Sequence, residues 1–214
     1  MHHGRKAMHN EKQHLARGNR YGFSMVELLI VMAVMMIIMA ITFIQIGPAL
    51  RASKAETALQ TTLGQMRRAH EMAVDQRQVY RVTFTAPRTI QLDQVSIDPL
   101  TKAKIFTFQS KIDLPTEIQF AVVTGIPTAA TKVPEGFGTG AVAIDFDQDF
   151  GGGTKEVFFQ RDGTATDDKN RLNNGVVYMC RPGDVGSCRT VSLMGATGRS
   201  KGWRLNAAQT GWMQ

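Results

Sequence analysis

Gly22-Phe23-Ser24-Met25-Val26-Glu27-Leu28-Leu29-Ile30-Val31 opens the segment that decides the fold, and its apolar run continues to Ile46. From Leu28 to Ile46 there are 19 residues without a charge, and only Thr42 and Gln45 are polar. As a helix rising 1.5 Å per residue, the run is about 28 Å long, close to the hydrocarbon thickness of a bilayer. The plain alternative is a buried core helix, but such helices rarely stay apolar on every face for this length. The run reads as a membrane-spanning helix.

Upstream, residues 1–22 hold Arg5, Lys6, Lys12, Arg17 and Arg20 against Glu11 alone. A secretory signal peptide also has a basic start, but its small-residue cleavage site follows the apolar stretch. Here the small residue, Gly22, precedes it. Glu27 is the anomaly. An unpaired carboxylate at the bilayer centre costs on the order of 2.5–3.5 kcal/mol, so a partner is expected. If the chain is cut after Gly22, Phe23 carries a new positive amine four residues from Glu27. Within one helix the two groups share a face, and between helices offset along an axis one subunit's Glu27 can neutralise the next subunit's amine. The competing reading is that Glu27 only snorkels to the interface.

The stretch Gly22-Phe23-Ser24-Met25-Val26-Glu27 followed by the apolar run resembles the processing motif of type IV pilins and type II secretion pseudopilins. The resemblance covers residues 17–46 most strongly. It implies cleavage after Gly22 by a prepilin peptidase and N-methylation of Phe23. It also implies assembly through Glu27 with other pilin or pseudopilin subunits, on an inner-membrane assembly platform. The expected location is the inner membrane, crossed once, with the globular part in the periplasm or in an extracellular filament.

Beyond the apolar run, Gly47-Pro48 is expected to interrupt the helix, because proline lacks a donor and favours a kink. Helical spacing then resumes through Leu50, Ala55, Leu59, Leu63, Met66 and Ala69, with Arg51, Lys54, Glu56, Arg67, Arg68 and Glu71 between them. His70 is expected at the surface or edge of this helix. After about Gln78 the period becomes two. Strands are expected at 79–85, 89–95, 104–108, 117–123, 141–146, 156–160, 175–179 and 189–193, with an irregular loop over Thr124–Gly140. The organisation is a leader over 1–22, an apolar helix over 23–46, its amphipathic second half over 47–78 and a β-rich domain over 79–214. The fold class is α+β, a long N-terminal helix packed on a C-terminal β-rich domain. Phe158-Phe159-Gln160-Arg161-Asp162-Gly163-Thr164-Ala165, then Gly175-Val176-Val177-Tyr178-Met179-Cys180, resembles the C-terminal half of the GspH/FimT family of minor pseudopilins and pilins.

Three local constellations bear on function. Cys180 and Cys188 enclose Arg-Pro-Gly-Asp-Val-Gly-Ser, a turn that two strands could share. Outside the cytoplasm a disulfide is favoured, worth about 2.6 kcal/mol in the chain-entropy picture, over free thiols or a metal pair. Asp145, Asp147, Asp149 and Glu156 have the oxygen spacing of a calcium loop, but Phe150 stands where that loop needs glycine. A solvated acidic strand end is the favoured reading. After Asp184 no acid occurs, and Arg199, Lys201, Trp203 and Arg204 follow the last expected strand as a basic tail. Arginine and lysine can neutralise phosphates, and Trp203 could stack on a base. Gly198-Arg199-Ser200-Lys201 resembles the GRxR motif of FimT-type pilins that bind DNA, with Lys201 in place of the second arginine. The competing reading is a strand end that docks neighbouring subunits.

No catalytic set, P-loop or dinucleotide fingerprint is visible, and no cofactor is expected. Removing the leader would leave His70 as the sole histidine. The sequence reads as a structural subunit rather than an enzyme.

Overall fold

The computed structural model describes residues 22–127 and 134–214. The basic leader residues before Gly22, and the middle of the Thr124–Gly140 loop, lie outside the described residues. The chain divides into two compact units, Met1–Gln45 and Ile46–Gln214.

In the first unit the helix α1 (Met25–Asp75) begins, and it carries on into the second. Ser24 caps it: its hydroxyl accepts from the Val26 N–H at 3.3 Å, and its carbonyl accepts from the Leu28 N–H at 3.1 Å. The first contact satisfies a donor that the first turn leaves without an intrahelical partner, and the second is the first bond of the helical ladder. α1 also runs through Gly47-Pro48, where an interruption is expected. Proline removes one hydrogen bond, and the turns on either side keep theirs, so the helical assignment survives. Its C-terminal end is set by Arg77, which adopts a left-handed φ of 53°.

The second unit places two antiparallel sheets against the later turns of α1. The strands of the first are β1 (Val79–Thr85), β2 (Thr89–Ile97), β3 (Lys104–Asp113), β6 (Glu156–Phe159) and β7 (Ala165–Thr166), in the order β3-β2-β1-β6-β7. The second holds β4 (Gln119–Phe120), β8 (Gly175–Arg181), β9 (Asp184–Met194), β10 (Arg199–Leu205) and β11 (Trp212–Met213). Its order is β11-β10-β9-β8-β4, and β5 (Ile144–Phe146) also pairs with β8. The expected α+β fold is present, with three differences. The expected strands at 117–123 and 141–146 shorten to β4 and β5. The short β7 and β11 were not expected. The basic tail is itself a strand, β10, paired with β9 from Arg199↔Met194 to Arg204↔Arg189.

The core forms where alternation on the strands meets helical spacing on α1. Ala55, Ala58, Leu59, Leu63, Met66, Ala69 and Ala73 are buried against Tyr80, Val82, Phe84, Val157, Phe159, Val177, Met179, Val191 and Leu193. Alanines on the buried stripe let the helix backbone approach the sheet. Gly202 on β10 does the same from the other side: a Cβ there would stand 2.8 Å from a Leu63 methyl. The reverse face of β8 is covered too. Val176, Tyr178 and Cys180 pack with Ile126, Phe137, Val185, Leu205 and Trp212. β8 is therefore buried on both faces, which a run such as Gly-Val-Val-Tyr-Met-Cys permits. The Cys180–Cys188 disulfide is formed and closes the turn between β8 and β9.

The acidic segment differs from the solvated strand end expected of it. Ile144, Asp145, Phe146 and Asp147 are all buried. Asp145 accepts from the backbone of Gly153 at 3.0 Å and of Thr139 at 3.3 Å, while Asp147 pairs with Arg171 at 3.0 Å. Asp149 accepts from Asn174 at 2.7 Å, and Glu156 pairs with Arg81 at 3.3 Å. The four carboxylates thus serve different partners. Among the described residues, no three His, Cys, Asp or Glu side chains gather as metal ligands. Buried carboxylates need partners, and here neighbouring N–H groups and arginines supply them.

Candidate functional site

Two regions carry the functional expectations, one in each unit. In the first, Gly22 and Phe23 precede the Ser24 cap, and Phe23 is 79% exposed. Glu27 sits in the first turn of α1, where the unsatisfied N–H groups and the helix dipole favour negative charge. Among the described residues, none from Met25 to Thr42 is buried, and the segment is long and apolar enough to cross a membrane. Ser24-Met25-Val26-Glu27 is also the S-x-x-E pattern of a helix start, a signal that the assembly reading alone does not use.

The second region is the face of β10. Its residues alternate: Ser200, Gly202 and Arg204 turn towards α1, and Arg199, Lys201 and Trp203 turn away. On the outer face one carboxylate gathers the cations. Glu135, in the short turn Pro134–Gly136, pairs with Lys201 Nζ at 2.7 Å and Arg199 Nη2 at 3.2 Å. Its other oxygen accepts from Ser192 Oγ at 2.8 Å, and Ser192 Oγ accepts in turn from Trp203 Nε1 at 2.9 Å. On the helix side, Glu56 of α1 accepts from Arg204 at 2.8 Å and faces Arg189 at 3.7 Å. Arg67 of α1 borders, with Lys201 and Arg204, a shallow groove between the helix and β10.

So the structure brings Arg199, Lys201 and Trp203 together around Glu135 and sends Arg204 to the opposite face. Glu135, Glu56, Ser192 and Arg67 are absent from the sequence-based site. Glu135 stands 57 residues from Ser192 and 64 from Arg199, and no local pattern links such distant positions.

Gly198, which starts the motif, answers to packing. It holds φ +58°, and a Cβ there would lie 2.2 Å from the Gly163 carbonyl and 2.6 Å from His70 Cδ2. Gly163 closes the Asp162-Gly163 turn, and His70 packs edge-on against Phe159 at 5.9 Å. His70 is half-buried at this junction, wedged between the helix and two turns rather than lying free on the surface.

The carboxylates have opposed electrostatics. Burial works against the charge on Glu135, but hydrogen bonds from Lys201 and Ser192 and the charges of Lys201 and Arg199 outweigh it and hold the carboxyl below its ordinary 4.5. Glu56 is lowered in the same way, against burial, by Gln60, Arg204 and Arg189. Asp147 is raised by burial, with Arg171 only partly opposing. A lowered folded-state value contributes stability above the unfolded value, and that stability is lost as pH falls through the folded one. Asp147 has the opposite sign and offsets part of the loss. The melting temperature should fall as pH drops below 4.5. Glu135→Gln should melt lower at neutral pH and show a shallower fall. Thermal melts across acid pH test this, and identical slopes for the two proteins would refute Glu135's part in it.

Comparison with known proteins bears on the first region. No curated protein matches the sequence. Among solved structures, the chain is similar to the minor pseudopilin EpsH of the Type 2 Secretion System of Vibrio cholerae, at 12% identity and TM-score 0.45, covering 71% of this chain and 97% of that one. It is also similar to the type IV minor pilin FimU of Pseudomonas aeruginosa, at 12% identity and TM-score 0.43, covering 70% and 87%. In sequence, residues 17–43 match the family described as the Prokaryotic N-terminal methylation motif. The segment containing Gly22, Phe23 and Glu27, with the first turns of α1, lies within that match to a prokaryotic N-terminal methylation motif.

Proposed function

We propose that the chain is a minor pilin or pseudopilin, a structural subunit rather than an enzyme. It is cleaved after Gly22, methylated on Phe23 and assembled into a pilus-like filament of a secretion or pilus machine. The observation that carries this reading is the match to a methylation motif at the head of an apolar helix long enough to cross a membrane, with no buried residue from Met25 to Thr42 among the described residues. In the inner membrane that surface meets lipid tails. In a filament it meets the same helix of other subunits, so one apolar face serves both states. The globular unit then lies in the periplasm or on the filament, where the Cys180–Cys188 disulfide persists. A prepilin peptidase and an inner-membrane assembly platform are the further partners this reading requires.

Intact mass of the protein from membranes is the test. The expected product spans residues 23–214 with one methyl group added. Gly22→Asp should leave the leader attached, because a charged side chain replaces the small residue at the scissile bond. A wild-type protein that keeps residues 1–22 sinks the proposal.

A second reading is supported by the run of cations on β10. Arg199 and Lys201, with Trp203 beside them, make the outer face of this strand a candidate surface for DNA taken up along a filament, and Arg204 adds a cation on the opposite face. Binding of this kind weakens as salt rises, because each neutralised phosphate releases counterions. Replacing Arg199, Lys201 and Arg204 by alanine should lower the affinity of the mature chain for duplex DNA about tenfold or more and flatten the salt dependence. Unchanged affinity and slope would remove β10 from the interface.

A further inference from the structure

The outer face of β10 is built as a receptor for an oxyanion, and the chain fills it with its own side chain. Lys201 Nζ, Arg199 Nη2 and Ser192 Oγ are all donors, and all point at the Glu135 carboxylate, at 2.7, 3.2 and 2.8 Å. Ser192 is completely buried, and its hydroxyl is oriented by the Trp203 Nε1–H, so its proton is left for the anion. Glu135 reaches this place from a turn in which it adopts φ 55°, a left-handed conformation that a residue with a Cβ adopts at a cost. The Glu135 side chain is 11% exposed, while Arg199 keeps 53% of its own exposure. Arg199 is therefore open to solvent, Lys201 keeps 27% of its exposure, and the carboxylate that neutralises them is tucked beneath.

We propose that Glu135 acts as a built-in competitor, occupying the oxyanion receptor formed by Arg199, Lys201 and Ser192 and holding these cations back from the phosphates of a nucleic acid. The inference rests on the DNA-binding reading of β10. A phosphate offers the same donors the same kind of oxygen, with a charge that a polyanion repeats along its length. Binding then exchanges one internal carboxylate for external phosphates, and affinity is set by how firmly Glu135 is held. Weak binding by the resting subunit and strong binding once Glu135 leaves are the two states of this device.

The experiment is a fluorescence-anisotropy titration of a labelled DNA duplex with the full mature chain in detergent micelles, over a series of salt concentrations. Wild type is compared with Glu135→Gln and with Glu135→Gln combined with Arg199→Ala and Lys201→Ala. Glutamine keeps the shape and removes the charge. Glu135→Gln should bind about tenfold or more tightly than wild type at low salt. Its log–log salt slope should be steeper by about one to two, since each freed cation adds roughly 0.9. The gain should vanish in the combined variant. Equal affinity and slope for wild type and Glu135→Gln, with both binding, overturn the competitor role and leave the DNA reading standing. Absence of binding by both overturns the two together. A gain that persists in the combined variant assigns the effect to net charge and overturns the proposal. If Glu135→Gln melts at a lower temperature, Glu135→Asp decides: it keeps the charge but is one methylene shorter. It should bind between wild type and Glu135→Gln, and an affinity equal to wild type counts against the receptor geometry.

Discussion

Glu27→Ala should be processed normally and yet be missing from filaments. Its mature mass should equal that of residues 23–214 with one methyl group added, less the side-chain difference, and its incorporation should fall on the order of a hundredfold. The argument begins with cost. Glu27 stands in the first turn of a helix whose following residues are apolar and exposed from the chain's own side. In a bundle of such helices the carboxylate is out of water, where an unpaired charge is expensive. On the proposed reading, cleavage after Gly22 would create a cation placed to meet it, the Phe23 amine. Breaking a desolvated ion pair by removing one partner costs about 3–5 kcal/mol, a factor of a hundred or more in an equilibrium. Alanine favours the helix, so α1 should not suffer. The check is the ratio of filament-bound to membrane-bound subunit, by immunoblot of sheared fractions, beside the intact mass. Wild-type incorporation of Glu27→Ala would mean that the carboxylate does not take part in assembly. Glu27→Gln refines the result: it keeps the shape, so a loss as large as that of alanine points to charge.

Gly198→Val should cost the globular unit about 3–5 kcal/mol, from two sources that add. The first is backbone strain: φ is +58° here, and forcing an L-residue into the left-handed region costs roughly 1–2 kcal/mol, more when it is β-branched. The second is space. The added Cβ would meet the Gly163 carbonyl at 2.2 Å, a backbone atom that can retreat only by moving the turn after β6. Overpacking of this kind costs typically about 1–3 kcal/mol. For a domain of this size the expected shift in melting temperature is on the order of 10 °C. Gly198→Asn separates the two sources, since asparagine tolerates the dihedral angle but not the clash. A melt within about 1 °C of wild type for the valine variant would refute the packing account. Gly163→Ala is a milder comparison. Its Cβ would face the His70 Nε2 side-chain atom at 3.1 Å rather than a backbone carbonyl at 2.2 Å, so strain at φ +87° is the larger part of its cost.

This result bears on how Gly198-Arg199 is understood. The glycine belongs to the junction of α1, the Asp162-Gly163 turn and β10, and it is needed there whether or not β10 meets DNA. The arginine beside it belongs to the outer face. The two adjacent residues thus answer to different demands, and a motif read as one unit in sequence divides in the fold.

The N-terminal segment and the helix stripe are legible from local sequence because their physics is local. Apolar length, the Ser24 cap and the place of Glu27 depend on neighbours within one or two turns. The buried side of the later turns of α1 follows from a 3.6-residue period that Ala55, Leu59, Leu63, Met66 and Ala69 keep. The strands β1, β2 and β9 likewise follow from alternation, β6 and β8 from short apolar runs bounded by turn residues, and the disulfide from two cysteines around a turn.

Only the tertiary structure decided the rest. Asp145 and Asp147 look like a wet strand end until Gly153, Thr139 and Arg171 come in to satisfy them. Arg199-Ser200-Lys201-Gly202-Trp203 has too little apolar content to read as a strand, and it is one because β9 offers an edge to pair with and α1 a surface that accepts Gly202. The cluster around Glu135 depends on residues 57 and 64 positions apart, and charge attraction between them acts only after the core has brought them within a few ångströms. The sequence by itself determined the long apolar helix, the motif at its head and the order of helix before strands. Which charges meet, and on which face of β10, was decided by the packing of two sheets on one helix, because pairing across long sequence separations follows chain geometry and leaves no period to read.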